Sequence, residues 1–291
     1  MFHIIKNRKY WYIISLLIII PGIISLFLQG LNWGIDFTGG TILEVKFAKD
    51  VQSQDIRSII TQKGIKVSSI QQTSEGNYLI RTEELDTAKR DLLVKALENN
   101  LGKMDVLRED RIGGIVSREL LQKALLALLI SSVLMLIYIT FRFEFYFGVA
   151  AIIALLHDVF VTIGIFSIFQ WEVDSSFVAA ILTIIGYSIN DTIVIFDRIR
   201  ENLKYREKGE ALEDLINKSL WQTMTRSINT VMTVIFVLVA LLLFGGSSIK
   251  VFVTAMLIGV TSGAYSSIFN ASPVWFDLKR MSSKGDNAKK Q

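Results

Sequence analysis

The chain has 291 residues, of which 51% are hydrophobic and 20% charged, with a formal net charge of +4. That is too apolar for an ordinary soluble domain and too charged for membrane helices throughout, so it reads as a membrane protein with one sizeable soluble insertion. There is no Cys, and His3 and His157 are the two histidines, which excludes disulfides, thiolate metal sites and multi-histidine metal centres.

Lys6, Arg8 and Lys9 precede a 19-residue apolar stretch, Tyr10–Leu28. It exceeds a signal-peptide core of about 7–15 residues, and no small-x-small cleavage pattern follows. Residues 1–28 are therefore read as an N-terminus and a retained first transmembrane helix.

Residues 29–118 are soluble in character. Thr41–Phe47 predicts a strand, and Gln52–Lys63 an amphipathic helix with Ile56, Ile59 and Ile60 on one side. Ile65–Gln72 and Asn77–Thr82 predict strands joined by a turn at Ser74, Glu75 and Gly76. Leu85–Leu101 predicts a second helix, with Leu92, Leu93, Ala96 and Leu97 in phase, and Lys103–Arg111 a last strand. The order βαββαβ is that of a ferredoxin-like α+β domain.

Five further apolar segments follow, at 121–141, 145–169, 177–196, 227–244 and 249–272, each near the ~20 residues a bilayer requires. Residues 119–291 thus hold helices two to six of a six-helix, multi-pass α-helical membrane protein. The N-terminus is basic. So are the tail, with Lys279, Arg280, Lys284, Lys289 and Lys290, and the 198–226 connection, with Arg198, Arg200, Lys204, Arg206, Lys208, Lys218 and Arg226. The connection 170–176 carries Glu172 and Asp174 and no basic residue. The positive-inside rule places both termini and 198–226 in the cytoplasm, and 29–118 outside. Trp11 and Trp171 fall at helix ends, as interfacial anchors do. Leu212, Leu215, Ile216 and Leu220 recur at helical spacing, which predicts either a surface helix on the cytoplasmic interface ending near Trp221 or a plain solvated connector.

Polar groups interrupt the spans. Thr183, Tyr187, Asn190 and Asp191 share one face of the fourth, His157, Asp158 and Thr162 lie in the third, and Arg226, Asn229, Thr230 and Thr233 share a face of the fifth. Lipid cannot satisfy such stripes, so the three are expected to face one another. Asp191 lies about 9 Å inward of Asp197 at 1.5 Å per residue, within reach of an Arg226 side chain entering from the same side. An ionisable group at that depth costs about 2.5–3.5 kcal/mol, which interhelical glue does not require, since Asn provides it more cheaply. Asp191, with Asn190 and Arg226, and the His157–Asp158 unit are therefore proton-relay candidates. Thr183, Asn229, Thr230 and Thr233 are read as glue worth about 0.6 kcal/mol each. Ala255, Gly259 and Gly263 form a small-xxx-small helix-packing stripe.

Several separated motifs identify a resemblance. They are GIDFTGG at 34–40, LHDVFVTIG at 156–164, GYSINDTIVIFDRIREN at 186–202, TRSINT at 225–230 and SGAYSSIFNASP at 262–273. In this order they resemble the SecD/SecF family of bacterial protein-export membrane proteins, relatives of the resistance-nodulation-division transporters, and within it the smaller subunit. At 111–120 this chain has RIGGIVSREL, where the family usually has a proline. The resemblance implies a subunit in the cytoplasmic (inner) membrane that assists export of polypeptides through a SecY-type channel, driven by the proton motive force. It implies a SecD-like second six-helix partner. It also carries a proton-linked role to Asp191 and Arg226, and the DFTGG motif to Asp36–Gly40, where Asp36 ties the junction and Gly39 and Gly40 let the chain turn sharply. Protons are the coupling ion; no other cofactor, no ATP and no nucleic acid are expected.

Rival readings are a proton-coupled small-molecule or lipid exporter of the same superfamily, an intramembrane aspartyl protease with Asp158 and Asp191 as its dyad, and a passive scaffold. The glycine-flanked aspartate motif of such proteases is absent, because Asp191 follows Ser188, Ile189 and Asn190. No catalytic residue is therefore assigned, and the chain is read as a translocase subunit rather than an enzyme.

Overall fold

The computed structural model describes residues 3–73, 76–142 and 144–288. Ser74 and Glu75 of the predicted turn and Lys289 and Lys290 of the tail lie outside them. The elements in chain order are α1 (Arg8–Leu28), β1 (Asn32–Trp33), α2 (Ile35–Thr38), β2 (Gly40–Phe47), α3 (Ser53–Gln62), β3 (Val67–Gln72), β4 (Tyr78–Thr82), α4 (Thr87–Leu101) and β5 (Met104–Ile112). They continue with α5 (Gly114–Arg142), α6 (Phe145–Phe169), β6 (Glu172–Val173), α7 (Ser175–Lys204), α8 (Leu212–Phe244), α9 (Lys250–Ser266) and α10 (Ser272–Ala288). The chain divides into two compact units, Trp33–Leu126 and the remainder.

The Trp33–Leu126 unit is built on an antiparallel sheet of order β3-β4-β2-β5. Alternation along β2 sends Leu43, Val45 and Phe47 to one side, where they join Ile56 and Ile60 of α3 and Leu93, Ala96 and Leu97 of α4 in one core. Leu92, expected in phase with these, is 62% exposed. The sheet is narrow, and α4 covers it with the 93–96–97 stripe, leaving Leu92 on its flank. Asp86 caps α4, accepting from the Lys89 backbone N–H at 2.7 Å. The unit ends at Leu126, beyond the 118 expected, because α5 already begins at Gly114.

The other unit is helical. Six described helices are long and apolar enough to cross a membrane, the last running through α9 and α10 as Lys250–Ser282. Between those two lies a π-helical turn, Ser267–Ala271. Pro273 follows it, and a proline lacks the N–H that would pair with the Phe269 carbonyl, so the wider turn falls where an α-helix cannot continue.

The predicted surface helix at 212–221 is neither a separate element nor a solvated connector. Leu212–Phe244 is one helix, since no Gly or Pro interrupts 212–244. Its first turns are held from inside the unit: Leu215, Ile216 and Leu220 are buried in a core with Ile4, Ile5 and Trp275, and Asn217 Oδ1 accepts from the Ile5 backbone N–H at 3.2 Å.

The closest backbone approach is unheralded in the sequence reading. A Cβ on Gly22 would stand 2.7 Å from Gly164 Cα, so α1 and α6 touch main chain to main chain. Polar groups seal the seam one turn on, with Ser25 Oγ and Ser167 Oγ 2.7 Å apart and Gln29 Nε2 donating to the Ser167 carbonyl at 3.1 Å. Gly22→Leu is expected to part the helices and destabilise the protein by about 1–3 kcal/mol. A thermal melt in detergent checks this, and an unchanged midpoint would refute the packing role.

Candidate functional site

The intramembrane carboxyls occupy two different settings. Asp158, on α6, is fully buried. Its Oδ2 accepts from Ser188 Oγ of α7 at 2.6 Å and from Ser266 Oγ of α9 at 2.7 Å. Its Oδ1 accepts from Ser262 Oγ of α9 at 2.7 Å, and His157 Nδ1 lies 2.9 Å from the same oxygen. With the carboxylate as acceptor, the ring proton sits on Nδ1. Four donors fill the four lone-pair directions of one carboxylate. Thr162 Oγ1 turns back to the Asp158 carbonyl at 2.8 Å.

Asp191, on α7, is half-buried. Its Oδ1 accepts from Ser227 Oγ of α8 at 2.7 Å. Its Oδ2 is buried and has no hydrogen-bond partner among the described residues. The carboxyl is therefore bound on one oxygen and open on the other, unlike Asp158.

The three polar stripes do not all face one another. The α6 stripe meets α7 and α9 through Ser188, Ser262 and Ser266, while the α7 stripe meets α8 at Asp191–Ser227 and at Tyr187, whose OH donates to the Thr230 carbonyl at 3.1 Å. Thr183, Asn190, Arg226, Asn229, Thr230 and Thr233 are exposed. The threonines satisfy themselves within their own helices, at 2.8 Å to the carbonyls of Ala179, Arg226 and Thr230 respectively. Among the described residues no ion pair joins Arg226 to Asp191. The neighbouring Ser227 faces α7 instead, and adjacent residues on a helix point about 100° apart.

The remaining predicted positions lie elsewhere. Ala255 is fully buried on α9, a Cβ on Gly259 would strike Ile184 of α7 at 2.2 Å, and one on Gly263 would meet Ser188 Cβ at 3.2 Å and Asp158 Oδ2 at 3.5 Å. The small residues thus bring α9 close enough for Ser262 and Ser266 to reach Asp158. Asp36 sits in α2, where the backbone N–H groups of Phe37 and Thr38 donate to the Gly34 carbonyl at 3.1 Å and that of Gly39 to the Ile35 carbonyl at 2.8 Å. Gly39 and Gly40 have φ of +73° and +141°, left-handed values that favour glycine. Among the described residues no group of three His, Asp or Glu side chains could hold a metal ion.

Sequence reasoning missed Ser188, Ser227, Ser262 and Ser266. The last two were findable as an i, i+4 pair in the same run as Gly259 and Gly263.

Comparison with known proteins agrees with this architecture. The family description "Protein export membrane protein SecD/SecF, C-terminal" matches residues 93–281, and "SecD/SecF GG Motif" matches residues 24–51. Proteins named protein translocase subunit SecF are 44% identical in Sebaldella termitidis, over 95% of this chain and 92% of theirs, and 46% identical in Acidaminococcus fermentans, over 96% and 98%. A protein translocase subunit SecDF of Bacillus subtilis is 39% identical over 97% of this chain. The crystal structure of SecDF from Thermus thermophilus, a translocon-associated membrane protein, superposes with a TM-score of 0.88 at 34% identity over 96% of this chain. This chain spans 39% of each of those two longer SecDF chains. With a family model over residues 93–281 and relatives above 40% identity along nearly their whole length, the chain belongs to the SecD/SecF family of protein-export membrane proteins.

Proposed function

We propose that this chain is a subunit of a protein-export machine in the cytoplasmic membrane, in which a proton moves on and off Asp191. The observation that carries the coupling is the asymmetry of the two carboxyls. A proton on Asp191 Oδ2 displaces no donor, whereas a proton on Asp158 would have to displace one of four. Asp191 is accordingly the carrier, with Asn190 and Arg226 beside it on the exposed face. The His157–Asp158 unit is the fixed hub that holds α6, α7 and α9 together.

The polar face of Asn190, Arg226 and Asn229 is exposed at membrane depth in this single chain. Lipid is a poor partner for it, and a SecD-like six-helix subunit is the partner that fits; the Bacillus subtilis and Thermus thermophilus relatives carry SecD and SecF in one name. The Trp33–Leu126 unit, with its βαββαβ order, is read as ferredoxin-like and as lying outside the cell, where it holds or pulls a polypeptide emerging from a SecY-type channel. Both termini then lie in the cytoplasm. Protonation of Asp191 acts by favouring one of two arrangements of α7 against α8. A protease dyad is disfavoured, because neither Asp158 oxygen bonds to Asp191.

The test is secretion of a reporter protein, with and without a membrane proton gradient, in cells whose only copy is Asp191→Asn. The variant protein is expected at its normal level, with the gradient-dependent part of export lost. Normal gradient-dependent export would make Asp191 helix glue and defeat the coupling.

A further inference from the structure

On α1, Arg8, Tyr12 and Ser15 stand at i, i+4 and i+7, and so share a face. Asn270 and Asp277 lie opposite them. Arg8 Nε is 2.9 Å from Asp277 Oδ1, Tyr12 OH donates to Asp277 Oδ2 at 3.1 Å, and Asn270 Nδ2 donates to Ser15 Oγ at 2.9 Å. This polar ladder starts at the basic N-terminal end of α1 and runs into the span.

Beside it is a groove of about 380 Å³ between α1, α6 and the π-turn region. Its rim is apolar: Leu16, Ile153 and Leu156 are 51%, 42% and 46% exposed. Its floor is polar: Ser15, Asn270 and His157 are 6%, 5% and 8% exposed. The His157 ring is committed through Nδ1 to Asp158, while its Nε2 is buried and has no protein partner. Leaving a buried nitrogen unpaired costs about 1–3 kcal/mol. A water there removes that cost when it has room and two to four polar neighbours, and the floor supplies both.

We propose that this groove is a hydrated chamber that brings water from the Arg8–Tyr12–Asp277 end to Nε2 of His157, and so gives the Asp158 hub its own contact with an aqueous phase. Its purpose as a proton path rests on the proton-coupled reading above; its hydration does not. An apolar filling is the competing occupant, since the rim would admit an acyl chain. The polar floor decides against it, because an acyl chain offers His157 no hydrogen bond.

The sequence provides a clean test, because the chain has no cysteine. Ser15→Cys, at the floor, Ile19→Cys, further along the lining of the groove, and Leu17→Cys, on the 69% exposed side of the same helix, are each made as single thiols in the whole protein. Membrane vesicles holding each are treated with 2-aminoethyl methanethiosulfonate, which reaches the thiol through water and attacks its ionised form. Each variant is first checked for its normal level in the membrane. Ser15→Cys and Ile19→Cys are expected to react at least roughly ten-fold faster than Leu17→Cys, because a thiol in hydrocarbon does not ionise. If both react no faster than Leu17→Cys and are modified only by a lipid-soluble maleimide, an acyl chain fills the groove and the proposal is overturned. Should Ser15→Cys misassemble, Ile19→Cys alone carries the result. Labelling is read without export, so a dry groove would leave Asp191 as the carrier, and an inert Asp191→Asn would leave the chamber intact.

Discussion

Asp158→Leu is expected to destabilise the protein by between about 2 and 5 kcal/mol, whereas Asp158→Asn is expected to fold and export nearly as the parent does. The contrast follows from the donors. Leucine leaves Ser188, Ser262, Ser266 and His157 Nδ1 without their acceptor. Four intramembrane hydrogen bonds at an average of about 0.6 kcal/mol give the lower figure, and the loss of one member of a buried charged pair, if the ring is protonated, the upper. Serine softens the loss by turning back to its own helix, as Ser266 Oγ already does toward the Gly263 carbonyl at 3.3 Å. Imidazole has no such retreat, so most of the cost falls on His157.

Asparagine, by contrast, fits. Its Oδ1 accepts from His157 and Ser262, and its Nδ2 carries two hydrogens for the two hydroxyls, Ser188 and Ser266, that now donate to Oδ2 and can rotate to accept. The amounts of the two variants in the membrane and their melting midpoints in detergent check the first half. Gradient-dependent export of Asp158→Asn checks the second: its loss at normal protein level would make Asp158 a carrier, and the division of labour between the two carboxyls would fall.

The sequence made the spans legible because length and composition alone decide whether a helix can cross a bilayer. The strand and helix order of the 33–126 unit was legible because Leu43, Val45 and Phe47 alternate while Ile56, Ile59 and Ile60 cluster at helical spacing. What remained hidden was rotation. Arg226 and Ser227 are adjacent, and only the packing of α8 on α7 selects the serine to meet Asp191. Serines 188, 262 and 266 gave no signal of their own, since a serine in a span ordinarily bonds its own helix. The α8 N-terminus was misread for a related reason. Charge up to Asp214 marked the end of the bilayer but not the end of the helix, and no breaker separates Leu212 from Phe244.

The tandem glycines of the 34–40 motif illustrate how a turn becomes a packing requirement. Gly40→Ala is expected to cost about 2–5 kcal/mol, much more than a glycine in a strained conformation costs by itself. Gly40 has φ +141°, and a Cβ there would lie 2.5 Å from the Thr82 carbonyl oxygen of β4. That oxygen is main chain in the middle of the sheet, so relief requires β2 to part from β4. Backbone strain contributes about 1–3 kcal/mol, and forced displacement of packed neighbours about 1–3 kcal/mol more. Gly39 is held similarly, with φ +73° and a Cβ position 3.2 Å from Gly114 Cα. The comparison that isolates the contact is Gly102→Ala, in the same unit. Its φ is +95°, and nothing lies within 4 Å of its Cβ position. It should lose only the strain, about 1–3 kcal/mol. Protease cleavage within residues 33–126 of the intact membrane protein, followed against temperature, reads both. Gly40→Ala is expected to become cleavable at a clearly lower temperature than Gly102→Ala. Equal behaviour would mean that the close approach to Thr82 contributes nothing, and that the second glycine of the motif serves only to turn the chain.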